Sequence, residues 1–269
     1  KVIPPVLRAE RIAALAITEP GGGSDVANLT TRAERDGDDY IVTGSKTFIT
    51  SGMQADDFTV AVRTGEAGIG GISLLHIPAE TDGFSRTGLR KMGWQCSDTA
   101  TLYFDGCRVP ASHLIGRENQ GFLGIMRNFN NERLALAAQA CGLARVCIDE
   151  SRAYAAERQT FGKPLSRHQV IRHKLVDMET RYLAGQRMLE ALTWQVDQGE
   201  VPIAELCMLK NYCTAMLEAV AGEAVQIHGG AGFMRGCAVE RIFRETKVLS
   251  IGGGASEIMK DLAARQMGL

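Results

Sequence analysis

The sequence predicts an α+β fold: an antiparallel β-barrel or sandwich domain followed by a C-terminal four-helix-type bundle. Three observations carry this expectation. Up to about residue 117, short alternating runs are separated by turn residues. Beyond it, apolar residues recur at helical spacing, and the third long helix stops at the pair Gly229-Gly230. The expected domains are 13–117 for the sheet and 118–269 for the bundle. Residues 1–12, with Pro4-Pro5 leading into a short helical fragment, pack nothing by themselves and read as the tail of something else.

The strand candidates are 30–35, 39–50, 56–64, 70–78 and 99–110. Asp36-Gly37 between the first two is a hairpin signal. In the second half, Phe122, Met126, Phe129, Arg133, Leu136 and Ala140 fall within about 40° of one face at helical pitch. That pattern runs to about Arg158 and predicts a long helix. Further helices are expected at about 166–198, ended by Gly199 with Pro202 beyond, and at 202–228, 237–248 and 255–267.

Composition excludes several classes. A formal net charge of −1 leaves no nucleic-acid footprint. The longest apolar run, Leu134 to Ala144, is too short to span a bilayer, and no apolar stretch follows Lys1 to make a secretory leader. The seven cysteines include no CxxC pair, so buried reduced thiols in a cytoplasmic protein are expected rather than disulfides or a metal site.

Four motifs carry chemistry, each ambiguous alone. "ITEPGGGSD" (17–25) has glycines and hydroxyls that suit an anion, or is a plain loop; it lacks dinucleotide and P-loop spacing. In "KTFITSG" (46–52), alternation puts Phe48 and Thr50 on one strand face, which suits a flat heteroaromatic ligand or ordinary packing. "ERQTFGKP" (157–164) is a polar helix end carrying an aromatic, and "QIHGGAGF" (226–233) is a glycine-rich stop.

Taken in order, with "KVLSIGGGASEI" (247–258), these stretches resemble the acyl-CoA dehydrogenase family of flavoproteins. The resemblance implies FAD bound between sheet and bundle and completed by a neighbouring subunit. Thr18 would bond the flavin pyrimidine edge, Ser24 the pyrophosphate, and Thr50 would sit at N5 with Phe48 beside the ring. Arg158, Thr160, Phe161 and Gln169 would hold the adenosine diphosphate half, and Gln226, Gly230 and Glu257 its adenylate side. Gly236 departs from the acidic or Asn residue usual there. Family members begin with a helical domain roofing the acyl pocket, and residues 1–12 match its junction with the sheet.

The implied reaction is α,β-dehydrogenation of an acyl-CoA thioester: a carboxylate removes the α-proton as the β-hydrogen leaves as hydride to flavin N5. Most members carry that base in a Tyr-Glu-Gly-Thr stretch, which aligns with Gly252-Gly253-Gly254-Ala255. Glycine abstracts no proton. One branch, resembling isovaleryl-CoA and long-chain dehydrogenases, places its Glu on the long helix before an Arg, where this chain has Glu132-Arg133. By helical geometry alone Glu132 is a flank residue, solvated or functional; the resemblance makes it the base. Gly253 would keep a backbone N–H for the thioester carbonyl and open space beside the acyl chain. Phe122, Met126, Asn130, Arg133 and Leu136 would line the substrate, pointing to a branched, terpenoid-like or longer acyl-CoA. The implied partners are an electron-transferring flavoprotein and further copies in a homotetramer, a dimer of dimers, located in the cytoplasm or, in a eukaryote, the mitochondrial matrix. An acyl-CoA oxidase and a non-catalytic flavin- or acyl-CoA-binding protein are the rival readings.

Overall fold

A computed structural model describes residues 2–269 and divides into two compact units, one up to Arg127 and one from Asn128 to Leu269. Lys1 lies outside the described residues.

The first unit opens with a short helix α1 (Ile3–Leu7) and then builds one sheet from β1 (Ala13–Ala16), β2 (Arg32–Asp36), β3 (Asp39–Thr50), β4 (Asp57–Arg63), β5 (Ile72–Pro78), β6 (Phe84–Gly88), β7 (Thr99–Pro110) and β8 (Leu114–Ile115). Strand order is β6-β7-β3-β2-β4-β5-β8, with β1 parallel to β4. The β2–β3 hairpin closes through Gly37-Asp38, one position later than the Asp-Gly signal, because Gly37 takes φ +60° at the first central position. The β2–β4 join is a single parallel pair, Arg32 opposite Arg63. The strands on either side of that join share a core. Phe58 of β4 packs on Phe84 of β6 at 5.1 Å between ring centroids, and Phe84 on Phe104 of β7 at 5.5 Å. Inward alternation explains the choice of residues, since Tyr40, Val42 and Lys46 of β3 all point into this core.

α2 (Gly121–Glu157) leads into the second unit, followed by a small hairpin of β9 (Gln159–Thr160) and β10 (Lys163–Pro164). Then come α3 (Gln169–Asp197), α4 (Ile203–His228), α5 (Gly230–Phe233), α6 (Ala238–Ile251) and α7 (Ser256–Gln266). α4 is the central helix, packing against α3, α5, α6 and α7, and its apolar composition fits that place. α3 starts three residues later than its period predicts, because Leu165–Arg167 forms a 3-10 turn. The continuous buried stripe of α2 is Arg133, Ala137, Ala140, Ala144, Cys147, Ser151 and Ala155, whereas Phe122, Met126 and Phe129 on the predicted face are only half-buried. No helix among the described residues is long and apolar enough to cross a membrane.

Candidate active site

In the second unit, α2 presents Glu132 half-buried. Its Oε2 is shut away from solvent without a hydrogen-bond partner. Burial raises the carboxyl above its ordinary range, and the neighbouring Arg133 cation offsets part of that rise. Leaving a carboxyl oxygen buried without a partner is costly to a fold.

Arg133, 3% exposed, donates from Nη1 to Asn130 Oδ1 at 2.9 Å and from Nε to the Gly253 carbonyl at 3.5 Å, with its guanidinium 5.9 Å from the Phe129 ring centre. The structure therefore brings together Asn130, Arg133 and Gly253 of the residues expected from sequence. Leu136 joins them. A Cβ built on Gly253 would come within 2.7 Å of Leu136 Cδ1, and Gly253 itself holds φ +65°. This corrects the expectation that glycine there opens space beside the acyl chain: Leu136, one helical turn from Glu132, already occupies the volume a side chain would take. Glu257 is exposed in the first turn of α7.

Lys210 on α4 was missed by the sequence reading. It is fully buried and donates to the Gly254 carbonyl at 2.7 Å and the Ser250 carbonyl at 3.2 Å. Burial, aided by nearby Arg133, pushes its ammonium down to about 8. The available signal was a lone Lys on the apolar face of "IAELCMLKNYCTAM", three residues after Cys207 and seven before Leu217. Beside it, Asn211 donates to the Ser256 carbonyl and buries an unpartnered Oδ1.

The first unit holds the flavin-side residues expected from sequence. Thr18 is half-buried, its carbonyl accepting from Thr47 N–H at 2.8 Å, and Ser24 is exposed. The loop between them is anchored by Glu19. Its carboxylate accepts from the backbone N–H groups of Thr30 and Thr31, the Thr30 hydroxyl, and Lys46 Nζ at 2.8 Å. Burial opposes ionisation of Glu19, yet Lys46 and these donors outweigh it and hold the acid down to about 2. Burial in turn lowers Lys46 to about 8. Phe48 and Thr50 share one face, as alternation predicts, but strict alternation from the inward Lys46 would turn that face into the core; the extra residue in β3 between Lys46 and Ile49 turns it outward. Register shifts at Lys46/Ile49, and Phe48 is 69% exposed at φ +59°. An outward aromatic in a left-handed backbone conformation is a strained arrangement that a folded core does not require.

In the second unit, Phe161 and Gly162 make the two-residue turn between β9 and β10, both at positive φ, and Phe161 is 95% exposed. Arg158 and Gln169 are exposed beside it in sequence, while the Thr160 hydroxyl lies 3.1 Å from His168 Nε2. Gln226 and Gly230 are exposed at the end of α4, with open space where a Cβ of Gly230 would stand. Taken unit by unit, the outward Phe48 with the exposed Ser24 and Thr50 hydroxyls in the first suits a flat ring and a phosphate, and the outward Phe161, exposed Arg158 and uncrowded Gly230 in the second suit an adenosine diphosphate. Phe122 and Met126, expected at the substrate, lie half-buried on the first turns of α2, in the first unit.

Residues 14–107 match the family model "Acyl-CoA dehydrogenase, middle domain", and residues 119–268 match "Acyl-CoA dehydrogenase, C-terminal domain". The chain belongs to the acyl-CoA dehydrogenase family, whose members are FAD-dependent oxidoreductases. It is 42% identical over 277 residues to acyl-CoA dehydrogenase AFT10-1 of Alternaria alternata, covering 99% of this chain and 64% of that relative. A probable acyl-CoA dehydrogenase from Mycobacterium abscessus superimposes with a TM-score of 0.98 at 48% identity, covering 99% of this chain and 71% of the other. A glutaryl-CoA dehydrogenase from Mycobacterium smegmatis, solved in complex with FADH2, gives 0.94 at 29% identity, covering 100% and 69%. The chain thus spans roughly two thirds of the length of such relatives.

Proposed function

We propose that this chain is the flavin- and base-bearing part of an acyl-CoA dehydrogenase that converts an acyl-CoA thioester to the 2-enoyl-CoA, with Glu132 as the base. The observation that carries this reading is the half-buried Glu132, whose Oε2 is shut away without a partner one residue from Arg133, whose guanidinium reaches the Gly253 turn. Its raised pKa suits a group that must take the α-proton and release it again near neutrality. Gly253 N–H would polarise the thioester carbonyl as negative charge develops on it. FAD, when bound, supplies the two-electron acceptor for the β-hydrogen. Thr18, Ser24, Phe48 and Thr50 would hold its isoalloxazine and pyrophosphate. Arg158, Thr160, Phe161, Gln169, Gln226, Gly230 and Glu257 would hold the adenosine side of a neighbouring copy's cofactor. Phe122, Met126, Asn130, Arg133 and Leu136 would line the acyl chain.

The working assembly is a homotetramer that passes electrons to an electron-transferring flavoprotein, in the cytoplasm or mitochondrial matrix. Branched, terpenoid-like or longer acyl groups are the proposed substrates, from the likeness of Glu132-Arg133 to the isovaleryl-CoA and long-chain branch rather than from space at Gly253. Anaerobic titration of the FAD-loaded holoenzyme with isovaleryl-, citronellyl- and palmitoyl-CoA should bleach the flavin. Absence of bleaching by every acyl-CoA would refute the reaction, and turnover of butyryl-CoA far above all three would refute the substrate class.

A further inference from the structure

The turn joining α6 to α7 is held by two buried cations. Lys210 Nζ takes the Ser250 carbonyl on one side of Gly253 and the Gly254 carbonyl on the other, while Arg133 Nε takes the carbonyl of Gly253 itself. Neither cation forms an ion pair with a carboxylate among the described residues: Lys210 is held by the Ser250 and Gly254 carbonyls, and Arg133 by Asn130 Oδ1 and the Gly253 carbonyl. Burying two cations is expensive where a neutral turn would close by itself, and Gly252 N–H already bonds the Val248 carbonyl to end the helix. A helix C-terminus offers favourable carbonyl ends to a cation, but one exposed lysine would meet that need at far lower cost.

We propose that Lys210 is a positioning residue that fixes the Gly253 peptide at φ +65°, so that its N–H meets the thioester oxygen while Glu132 meets the α-carbon. This inference rests on the Glu132 and Gly253 roles given above. The geometry explains its form. Fastening the Ser250, Gly253 and Gly254 carbonyls restrains the backbone on both sides of the Gly253 N–H, which belongs to the peptide shared with Gly252. Glycine is the residue least able to hold such a conformation alone, having no side chain to restrict it. Lys210 reaches the turn only through backbone carbonyls and makes no hydrogen bond to Glu132. Preorganised donors contribute most when they do not reorganise during the reaction, which is what a buried clamp supplies.

The test separates proton abstraction from flavin reduction. A 3-thia-acyl-CoA has no β-hydrogen to lose, so exchange of its α-hydrogens with D2O reports the base and the polarising donor alone. In the FAD-loaded holoenzyme, mass spectrometry should show this exchange in wild type and its loss in Glu132→Gln. In Lys210→Met, exchange should slow by roughly tenfold or more with the dissociation constant of the analogue within about threefold. Hydrogen–deuterium exchange of the peptide covering 249–256 should rise in that variant. If Lys210→Met does not fold, Lys210→Gln, which keeps a donor for one carbonyl, should show the same changes to a smaller degree. Exchange within twofold of wild type in either folded variant, or an unchanged 249–256 peptide, overturns the role of Lys210. Failure of wild type to exchange at all overturns the Glu132 reading instead.

Discussion

Lys46 and Glu19 sit where a single uncompensated charge would cost the fold several kcal/mol. Removing one partner should therefore be worse than removing both: Lys46→Met alone should destabilise by about 3–5 kcal/mol, and Lys46→Met with Glu19→Leu should recover most of it. Urea unfolding of the two variants checks this. The same pair sets an acid limit. Glu19 is held down to about 2 from an ordinary 4.5, so its contribution is fully present above about 4.5 and is lost as pH falls toward 2. Glu132 is displaced the other way by burial. A base must be ionised, so the rate should fall with decreasing pH through a midpoint above the ordinary carboxylate range. A pH–rate profile whose acid limb lies at or below 4.5 would remove the support that burial gives to Glu132. Lys46 opens the "KTFITSG" stretch and Lys210 lies in none of the motifs, and local spacing reveals the burial of neither. Yet both interrupt apolar patterns: Lys46 falls on the inward period of β3, and Lys210 on the buried face of α4.

Among elements, the helices were legible because a 3.6-residue period persists over long stretches, and glycine stops marked where α3 and α4 end. β1, β6 and α5 were not separately readable: they span four, five and four residues, too few to establish a period. The site was legible only in part. That Phe48 and Thr50 share a face was legible from alternation, but the bulge that turns that face outward, like the long-range meeting of Leu136 with Gly253, is encoded by no local pattern. The α6–α7 turn depends on that meeting. Gly254 holds φ +103°, and a Cβ there would lie 2.4 Å from Met259 Cε. Gly254→Ala should cost about 1–3 kcal/mol from backbone strain, before any shift of Met259, and calorimetry would register it as a lower Tm. On the β9–β10 hairpin the opposite holds. Phe161→Asn should favour the positive-φ turn and hold or raise Tm while weakening FAD retention, read by flavin release on dilution. Unchanged retention would separate Phe161 from the cofactor.

At the scale of the whole molecule, each unit has its own core, and each carries one part of the proposed chemistry. The first offers a strapped loop and an outward aromatic, and the second offers the carboxylate, the clamped turn and a second outward aromatic. The exposed apolar residues of the second unit, among them Val176, Leu183, Trp194, Phe243 and Ile251, suit burial against further copies. Sedimentation of the holoenzyme should give a tetramer, and a monomer that retains FAD and turnover would contradict that assembly.

Glu132 is the group on which the proposed chemistry depends. Anaerobic mixing of FAD-loaded holoenzyme with isovaleryl-, citronellyl- or palmitoyl-CoA should reduce the flavin in wild type with at least one of them. With that same thioester, reduction in Glu132→Gln should be slower by roughly 10²–10⁴-fold, with FAD content and thioester affinity preserved. Reduction of the Glu132→Gln flavin at the wild-type rate would show that another group takes the α-proton.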